Sequence, residues 1–364
     1  MNAKLTFSQV IILAITLQYG IISFEMPRYL AEEFGYNGWL SLFGFGALAS
    51  INLWLIALVY RFGKGVSIYK IARRVLPSGV VVPLCSLLIL LWTVLGVLIS
   101  KQYLLILRST SFPTINPLYL YILLGALVLL MLSKDIIGIA TATVIFFVCV
   151  FWLLILVPAT LSNHFNFARF TPYLFKDAGF TLRGMLNIYF AFLGYELCLL
   201  LFPYSGKKTR LMQGFQISNL IVTLVYCFIA FLTFSFYSFE QLKQLAYPSL
   251  NTLSFIRFPF VQRVDDFIFN LFLLRALIIT TMYLWAALEL VKNMVATAKN
   301  RLIPYVAVSL LAAIIAMWDR GDLQKTERLL HYIGITEIGV AFLLPALLLI
   351  LIYIHHRKER PKHV

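Results

Sequence analysis

Uncharged apolar residues run on for roughly 17–25 positions at a time along this chain, long enough for a helix to cross the about 30 Å hydrocarbon slab of a bilayer. Nothing else in the sequence constrains the fold as much. Of 364 residues, 61% are apolar and 12% charged, whereas a soluble domain carries about 25% charged residues. A single soluble core stops growing at about 250–300 residues and cannot absorb so much apolar surface. The chain reads as an all-α polytopic membrane protein. Soluble enzymes, secreted disulfide modules and disordered tails are excluded.

A window of about 19 residues gives ten transmembrane helices within one transmembrane domain, 1–364, near 8–30, 38–60, 80–108, 117–133, 140–161, 181–203, 212–236, 265–291, 302–317 and 334–354. Lysine and arginine orient them. With the amino end inside, the inner pieces hold 17 cations against two acids, Asp135 and Glu359, and the outer pieces hold 12 cations and ten acids. The net charge of +15 thus sits on one face, which predicts both termini in the cytoplasm against an anionic leaflet. These short basic loops offer no groove-sized surface with aromatic platforms, so no nucleic acid partner is expected. Lys4 and the apolar run after it lack a small-residue cleavage site and read as a retained first helix.

Little here suggests catalysis. Cys85, Cys149, Cys198 and Cys227 lie in apolar runs without CxxC spacing and read as small buried side chains. The five histidines fall in loops or the tail, no paired carboxylates have a plausible geometry, and neither a catalytic site, a metal nor a cofactor is expected.

Two runs share a flaw. The first has Gly20 in mid-span and Pro27 seven residues on, and the sixth has Phe192-Leu193-Gly194-Tyr195-Glu196 with Pro203 beyond. These are equivalent members of two five-helix halves, and an odd number per half makes the second half inverted. Paired interruptions of this kind point to a transporter fold with a ligand at the midplane. The freed N–H groups there favour an anionic group such as a carboxylate. Packing glycines and ordinary kinks would leave the same mark.

Charge inside the bilayer is costly, about 2.5–3.5 kcal/mol per residue on insertion scales. Arg275 falls about 15 Å into its span at 1.5 Å per residue, and Glu196 follows the sixth-span break. A pair between them would relieve both burials and latch span 8 to span 6; a ligand or proton role is the other reading. Glu289, Glu337 and Lys101 lie where snorkelling would satisfy them. Thr280-Thr281-Met282-Tyr283 is a polar patch near mid-depth of span 8, explained by bonds within its own helix or by a ligand facing the two breaks.

Taken in order, the residues resemble a known family. Leu5-Thr6-Phe7, Gly20 with Pro27-Arg28, Phe192-Leu193-Gly194-Tyr195-Glu196 with Pro203 and Lys207-Lys208, Pro248-Ser249-Leu250, Arg263 before Asp265-Asp266-Phe267, Trp318-Asp319 and Leu343-Leu344-Pro345 carry it. The chain resembles the B subunits of endospore nutrient-germinant receptors, in the spore germination permease family of the amino acid–polyamine–organocation transporter superfamily.

That resemblance implies a LeuT-like 5+5 inverted repeat with broken helices 1 and 6, in the spore inner membrane. It implies an amino acid or similar small nutrient bound near Gly20, Ile22, Val97, Leu193, Gly194, Ile279 and Tyr283, with Glu196 and Arg275 as a gating or ion pair. Some relatives have glycine where Ile22 stands and threonine near Ile279, so a smaller, more apolar pocket is expected. Germinant receptor A and C subunits are the implied partners. The expected role is nutrient sensing; the alternative is an amino acid transporter, proton-coupled through Glu196.

Overall fold

The computed structural model describes residues 4–151, 165–171, 175–253, 255, 264–295, 302–318 and 321–359, with side chains undescribed at 264–268 and 358–359. The expectations placed on 152–161, Arg263 and Asp319 lie outside these residues. Among the described residues every regular element is helical. Five stretches, Gly38–Phe62, Ser78–Ser111, Lys207–Phe236, Phe269–Met294 and Leu323–Arg357, are long and apolar enough to cross a membrane, and four shorter apolar helices accompany them.

The helices are α1 (Phe7–Gln18), α2 (Met26–Phe34), α3 (Ser41–Phe62), α4 (Ile68–Arg73), α5 (Ser78–Ser111), α6 (Pro117–Leu132) and α7 (Ile136–Phe151). They continue with α8 (Leu182–Phe190), α9 (Leu211–Phe236), α10 (Phe239–Gln244), α11 (Pro248–Leu253), α12 (Val264–Met294), α13 (Ile303–Met317) and α14 (Leu323–Glu359). Exposed Leu87, Ile122, Leu130, Leu310 and Leu343 belong to the outward apolar faces of α5, α6, α13 and α14, as expected where lipid rather than water is the solvent.

The first span is broken for reasons visible in its residues. Thr6 caps α1 in a capping box with Gln9, satisfying N–H groups that a helix start leaves open. The helix stops at Tyr19, Gly20 is extended with its N–H turned back to the Gln18 carbonyl at 3.1 Å, and a 3-10 turn over Ile21–Phe24 leads into α2. Pro27 sits in the first turn of α2, where its missing N–H leaves no bond unmade.

The sixth span breaks similarly. Thr181 caps α8 through Gly184, and α8 ends before Gly194, whose φ of 107° lies in the left-handed region that glycine adopts without penalty. Two 3-10 segments, Tyr195–Leu200 and Phe202–Tyr204, complete the span. The start of the first broken span and the end of the sixth are tied together. Lys4 Nζ donates to the Pro203 carbonyl at 2.5 Å, Leu5 N to Tyr204 O at 3.2 Å, and Thr209 Oγ1 to Leu5 O at 2.7 Å.

Around these breaks the intact helices form a scaffold. The α5–α12 contact is the most extensive between described elements. It is close because Gly96 faces α12: a Cβ there would stand 3.0 Å from Tyr283 Cβ, and Thr280 Oγ1 donates to the Gly96 carbonyl at 3.2 Å. The α3–α9 contact follows the same small-residue-plus-polar logic. Asn219 Nδ2 donates to Gly46 O (2.9 Å) and Ser50 Oγ (2.8 Å), and Gly46 leaves no room for a side chain beside Thr223. Replacing Gly46 with Leu should therefore destabilise the fold by about 1–3 kcal/mol through overpacking. The measurement is thermal unfolding in detergent. Gly44→Ala, with no neighbour within 4 Å, should leave the transition unchanged.

Candidate functional site

Where the two breaks face each other the chain leaves a cavity. Its walls are Leu17, Gln18, Gly20, Ile21 and Ile22 from the first span, Phe190, Ala191 and Leu193 from the sixth, Ile99 from α5, and Ile279 and Tyr283 from α12. Of the binding residues expected from sequence, Gly20, Ile22, Leu193, Ile279 and Tyr283 line it. Val97 does not. It is buried on α5, but two residues are about 200° apart on a helix, so Ile99 supplies that wall. Gly194 does not line it either. It is the seat on which the breaks meet, since a Cβ there would lie 2.8 Å from the Leu17 carbonyl oxygen.

The cavity volume is about 30 Å³, and one water needs about 10–15 Å³. The walls must therefore part to admit a nutrient. Phe24 and Phe272, edge to face with ring centroids 5.5 Å apart, line an adjoining cavity. The bulk of Ile22 and Ile279 accounts for the narrow apolar space.

Interrupted backbone in a membrane interior needs partners, and α9 provides them. The Tyr226 hydroxyl lies 2.7 Å from the Gln18 carbonyl and 2.9 Å from the Ala191 carbonyl, sharing its hydrogen between the two breaks. Gln18 Nε2 donates to Asn219 Oδ1 at 3.4 Å. On the α3 side, Asn52 Nδ2 donates to the Tyr195 hydroxyl (2.8 Å) and the Ala341 carbonyl (2.9 Å), while the Tyr189 and Tyr195 hydroxyls lie 2.7 Å apart. Tyr226 and Asn52 escaped the sequence reading because a tyrosine or asparagine in an apolar run carries no spacing signature.

The buried charges are arranged differently from the expectation. Glu196 and Arg275 are not paired in this conformation. Glu196 accepts from Gly194 N at 2.7 Å and from the Tyr283 hydroxyl at 3.0 Å, and its carboxyl faces that of Glu337. Arg275 lies instead over the Tyr19 ring, with the guanidinium carbon 3.8 Å from the centroid. Glu337 is fully buried rather than snorkelling, and Trp92 Nε1 donates to it at 3.0 Å. The length of α14 explains this, because the helix runs on to Leu323 and places residue 337 well inside. Lys101 is likewise buried, its ammonium 5.9 Å from the Tyr121 ring centroid. Glu289 behaves as expected near its helix end, accepting from the Tyr204 hydroxyl at 2.9 Å. Of the threonines, Thr281 bonds within its own helix to Leu277 O, whereas Thr280 reaches α5.

A second polar cluster ties the half-helix α2 to its surroundings. Glu25, 2% exposed, accepts from Gln102 Nε2 of α5 at 2.8 Å and from the Tyr29 hydroxyl at 3.0 Å. Arg28 and His331 of α14 stand 3.7 and 3.4 Å from its carboxylate. Beside it Tyr247, ahead of α11, donates to Glu327. Burial pushes the Tyr247 hydroxyl above its ordinary range, so it stays a donor. Two helices, α5 and α14, thus hold the second half of the first span.

Two interrupted helices facing a midplane cavity, braced by a scaffold of continuous ones, is a transporter geometry, and the comparisons with known proteins agree. Residues 4–322 match the family described as "Spore germination protein". This chain belongs to the spore germination protein family. It is similar to Spore germination protein GerQB of Bacillus cereus, 24% identical over 351 residues that cover 94% of both chains. Among solved structures it is similar to a substrate-bound, outward-open Na+-coupled sialic acid symporter. The TM-score is 0.59 and the identity 13%, over 94% of this chain and 76% of the other. That likeness shows the fold: an integral membrane protein with broken spans 1 and 6 in a LeuT-like arrangement.

The contrast between the two break glycines gives a test. At Gly20 the nearest atom to an added Cβ is Ile279 Cδ1 at 4.0 Å, whereas at Gly194 it is backbone at 2.8 Å under a positive φ. Gly194→Ala should lower the thermal transition and abolish ligand binding. Gly20→Ala should leave the transition unchanged and alter affinity alone, as measured by unfolding and binding on the same preparations.

Proposed function

We propose that this protein is the nutrient-sensing subunit of a spore germinant receptor, binding an amino acid or similar small nutrient in the cavity between the two breaks. It signals germination through partner A and C subunits in the spore inner membrane, with both termini in the cytoplasm. The family match and the similarity to a spore germination protein of Bacillus cereus support the setting. The observation that carries the reading is the shared wall. Gly20, Ile22, Leu193, Ile279 and Tyr283 come from three spans and meet at one cavity.

A nutrient can signal only by binding one arrangement of the walls better than another, since equal affinity shifts no population. The cavity in its present volume favours the empty arrangement. Filling it separates the broken spans from α5 and α12, and that displacement is the signal passed to the partners. The lipid-facing rows on α5, α6, α13 and α14 are where partner or lipid contact would occur.

A second reading, a proton-coupled amino acid transporter, is favoured by the facing carboxyls of Glu196 and Glu337. Two buried carboxyls without a cation beside them hold a proton between them. Tyr283 links this pair to the cavity wall. The fold serves either role.

Spores made with and without the chain, exposed singly to amino acids and sugars, separate the readings. Loss of germination with particular nutrients, restored by the wild-type chain and not by Ile279→Trp, is the expected result. Restoration by Ile279→Trp would contradict a ligand in the cavity. Accumulation of radiolabelled amino acid by vesicles containing this chain alone, abolished by Glu337→Gln, would favour the transporter.

A further inference from the structure

Arg275 is a half-buried cation with no anion beside it. Among the described residues it makes no ion pair and no hydrogen bond, and its Nη2 is buried without a partner. Its company is aromatic: the Tyr19 ring at 3.8 Å and the Phe272 ring at 5.7 Å from the guanidinium carbon. Ring faces attract a cation, but they leave its N–H donors unused, and an unsatisfied buried donor is unfavourable. Something that accepts hydrogen bonds and carries negative charge is missing from its surroundings.

The guanidinium lines a small cavity with Gly20, Ile21, Phe24, Tyr103 and Ile279. The nutrient cavity described above shares Gly20, Ile21, Ile99 and Ile279 with it. The two are adjoining compartments around the first-span break.

The second compartment holds the complementary group. Gln18 lines it, and Gln18 Oε1 is buried with no hydrogen-bond partner while its Nε2 donates to Asn219. An unmet cationic donor thus stands in one compartment and an unmet acceptor in the next, and Ile21, Ile99 and Ile279 line both. That is the polarity of an α-amino acid with a small apolar side chain.

We propose that Arg275 binds the carboxylate of the nutrient, and Gln18 Oε1 its ammonium group. The proposal rests on the cavity being the nutrient site. It makes the receptor selective for a carboxylate-bearing ligand, and it excludes sugars, which bring no charge to Arg275. It also assigns the anion to a side chain of α12. A guanidinium matches a carboxylate through two parallel N–H bonds, which lysine cannot reproduce.

The test uses the full-length chain in lipid nanodiscs and measures binding of L-alanine, L-valine, L-leucine, L-valinamide, isobutyrate and glucose by calorimetry. At least one of the amino acids should bind, and valinamide, which lacks the carboxylate, should bind about 30-fold or more weakly than valine, the loss expected for removing one partner of a buried charge pair. Arg275→Lys should weaken amino acid binding by a similar factor, and Arg275→Met should abolish it while raising the thermal transition, since an unpaired buried charge has gone. Gln18→Leu should weaken valine and leave isobutyrate unaffected.

Unchanged valine affinity in Arg275→Met, with binding lost in Ile279→Trp, would overturn the assignment of Arg275 and leave the cavity in place. Unchanged affinity in both would overturn the cavity as well. Glucose binding that tolerates Arg275→Met, or no binding by any of the amino acids to a folded wild-type chain, would also refute a carboxylate site. A fall in the thermal transition of Arg275→Met would instead mark the guanidinium as structural.

Discussion

The Tyr226 hydroxyl is the contact on which the rest of this structure depends. A membrane interior offers no water to an interrupted backbone, so each broken helix must find acceptors and donors inside the protein. Here one hydroxyl reaches the Gln18 and Ala191 carbonyls together, and Gly194 brings its own backbone against Leu17. The two breaks are therefore a single joint. Anything that moves one half-helix is felt by the other, which is the property a ligand-operated protein needs at its midplane.

The charges around that joint are kept apart rather than neutralised in one pair. Glu196 spends its oxygens on Gly194 N and on the Tyr283 hydroxyl, and its carboxyl faces Glu337. Arg275 keeps to the aromatic side of the first-span break. The carboxyls thus sit toward α5 and α14, through Trp92 and Glu337, and the cation toward α1 and α12. This separation leaves a polarity across the cavity instead of a closed ion pair, the feature from which a zwitterionic ligand is proposed. The Glu25 cluster joins α2 to α5 and α14, adding polar contacts to the core packing of Met26, Leu30 and Ala31.

Much of this was legible in the sequence, and the reasons differ by feature. The breaks were readable because glycine and proline mark backbone that cannot continue a helix, and their positions in the first and sixth runs matched. The pocket residues at those breaks, Gly20, Ile22 and Leu193, entered through the resemblance to the germination family, as did Ile279 and Tyr283. The exact wall from α5 did not follow, because a long apolar helix without strong amphipathicity does not declare its rotation, and Ile99 stands where Val97 was expected. Pairing Glu196 with Arg275 was the economical guess for two buried charges of opposite sign. It failed because the long helix α14 carries Glu337 deeper than hydropathy suggests, giving Glu196 another neighbour. Tyr226 was unreadable, since its importance lies in two carbonyls about 200 and 35 residues away in the chain.

The account's central claim is that a nutrient enters between the two breaks and parts them from α12. Ile279→Cys, placed in a chain whose four native cysteines are replaced, puts a thiol on that wall. Its rate of modification by a small charged thiol reagent should fall several-fold when a germination-inducing nutrient is present, and not with nutrients that fail to induce. Equal rates with and without the inducing nutrient, in a chain that still supports germination, would contradict a ligand between the breaks.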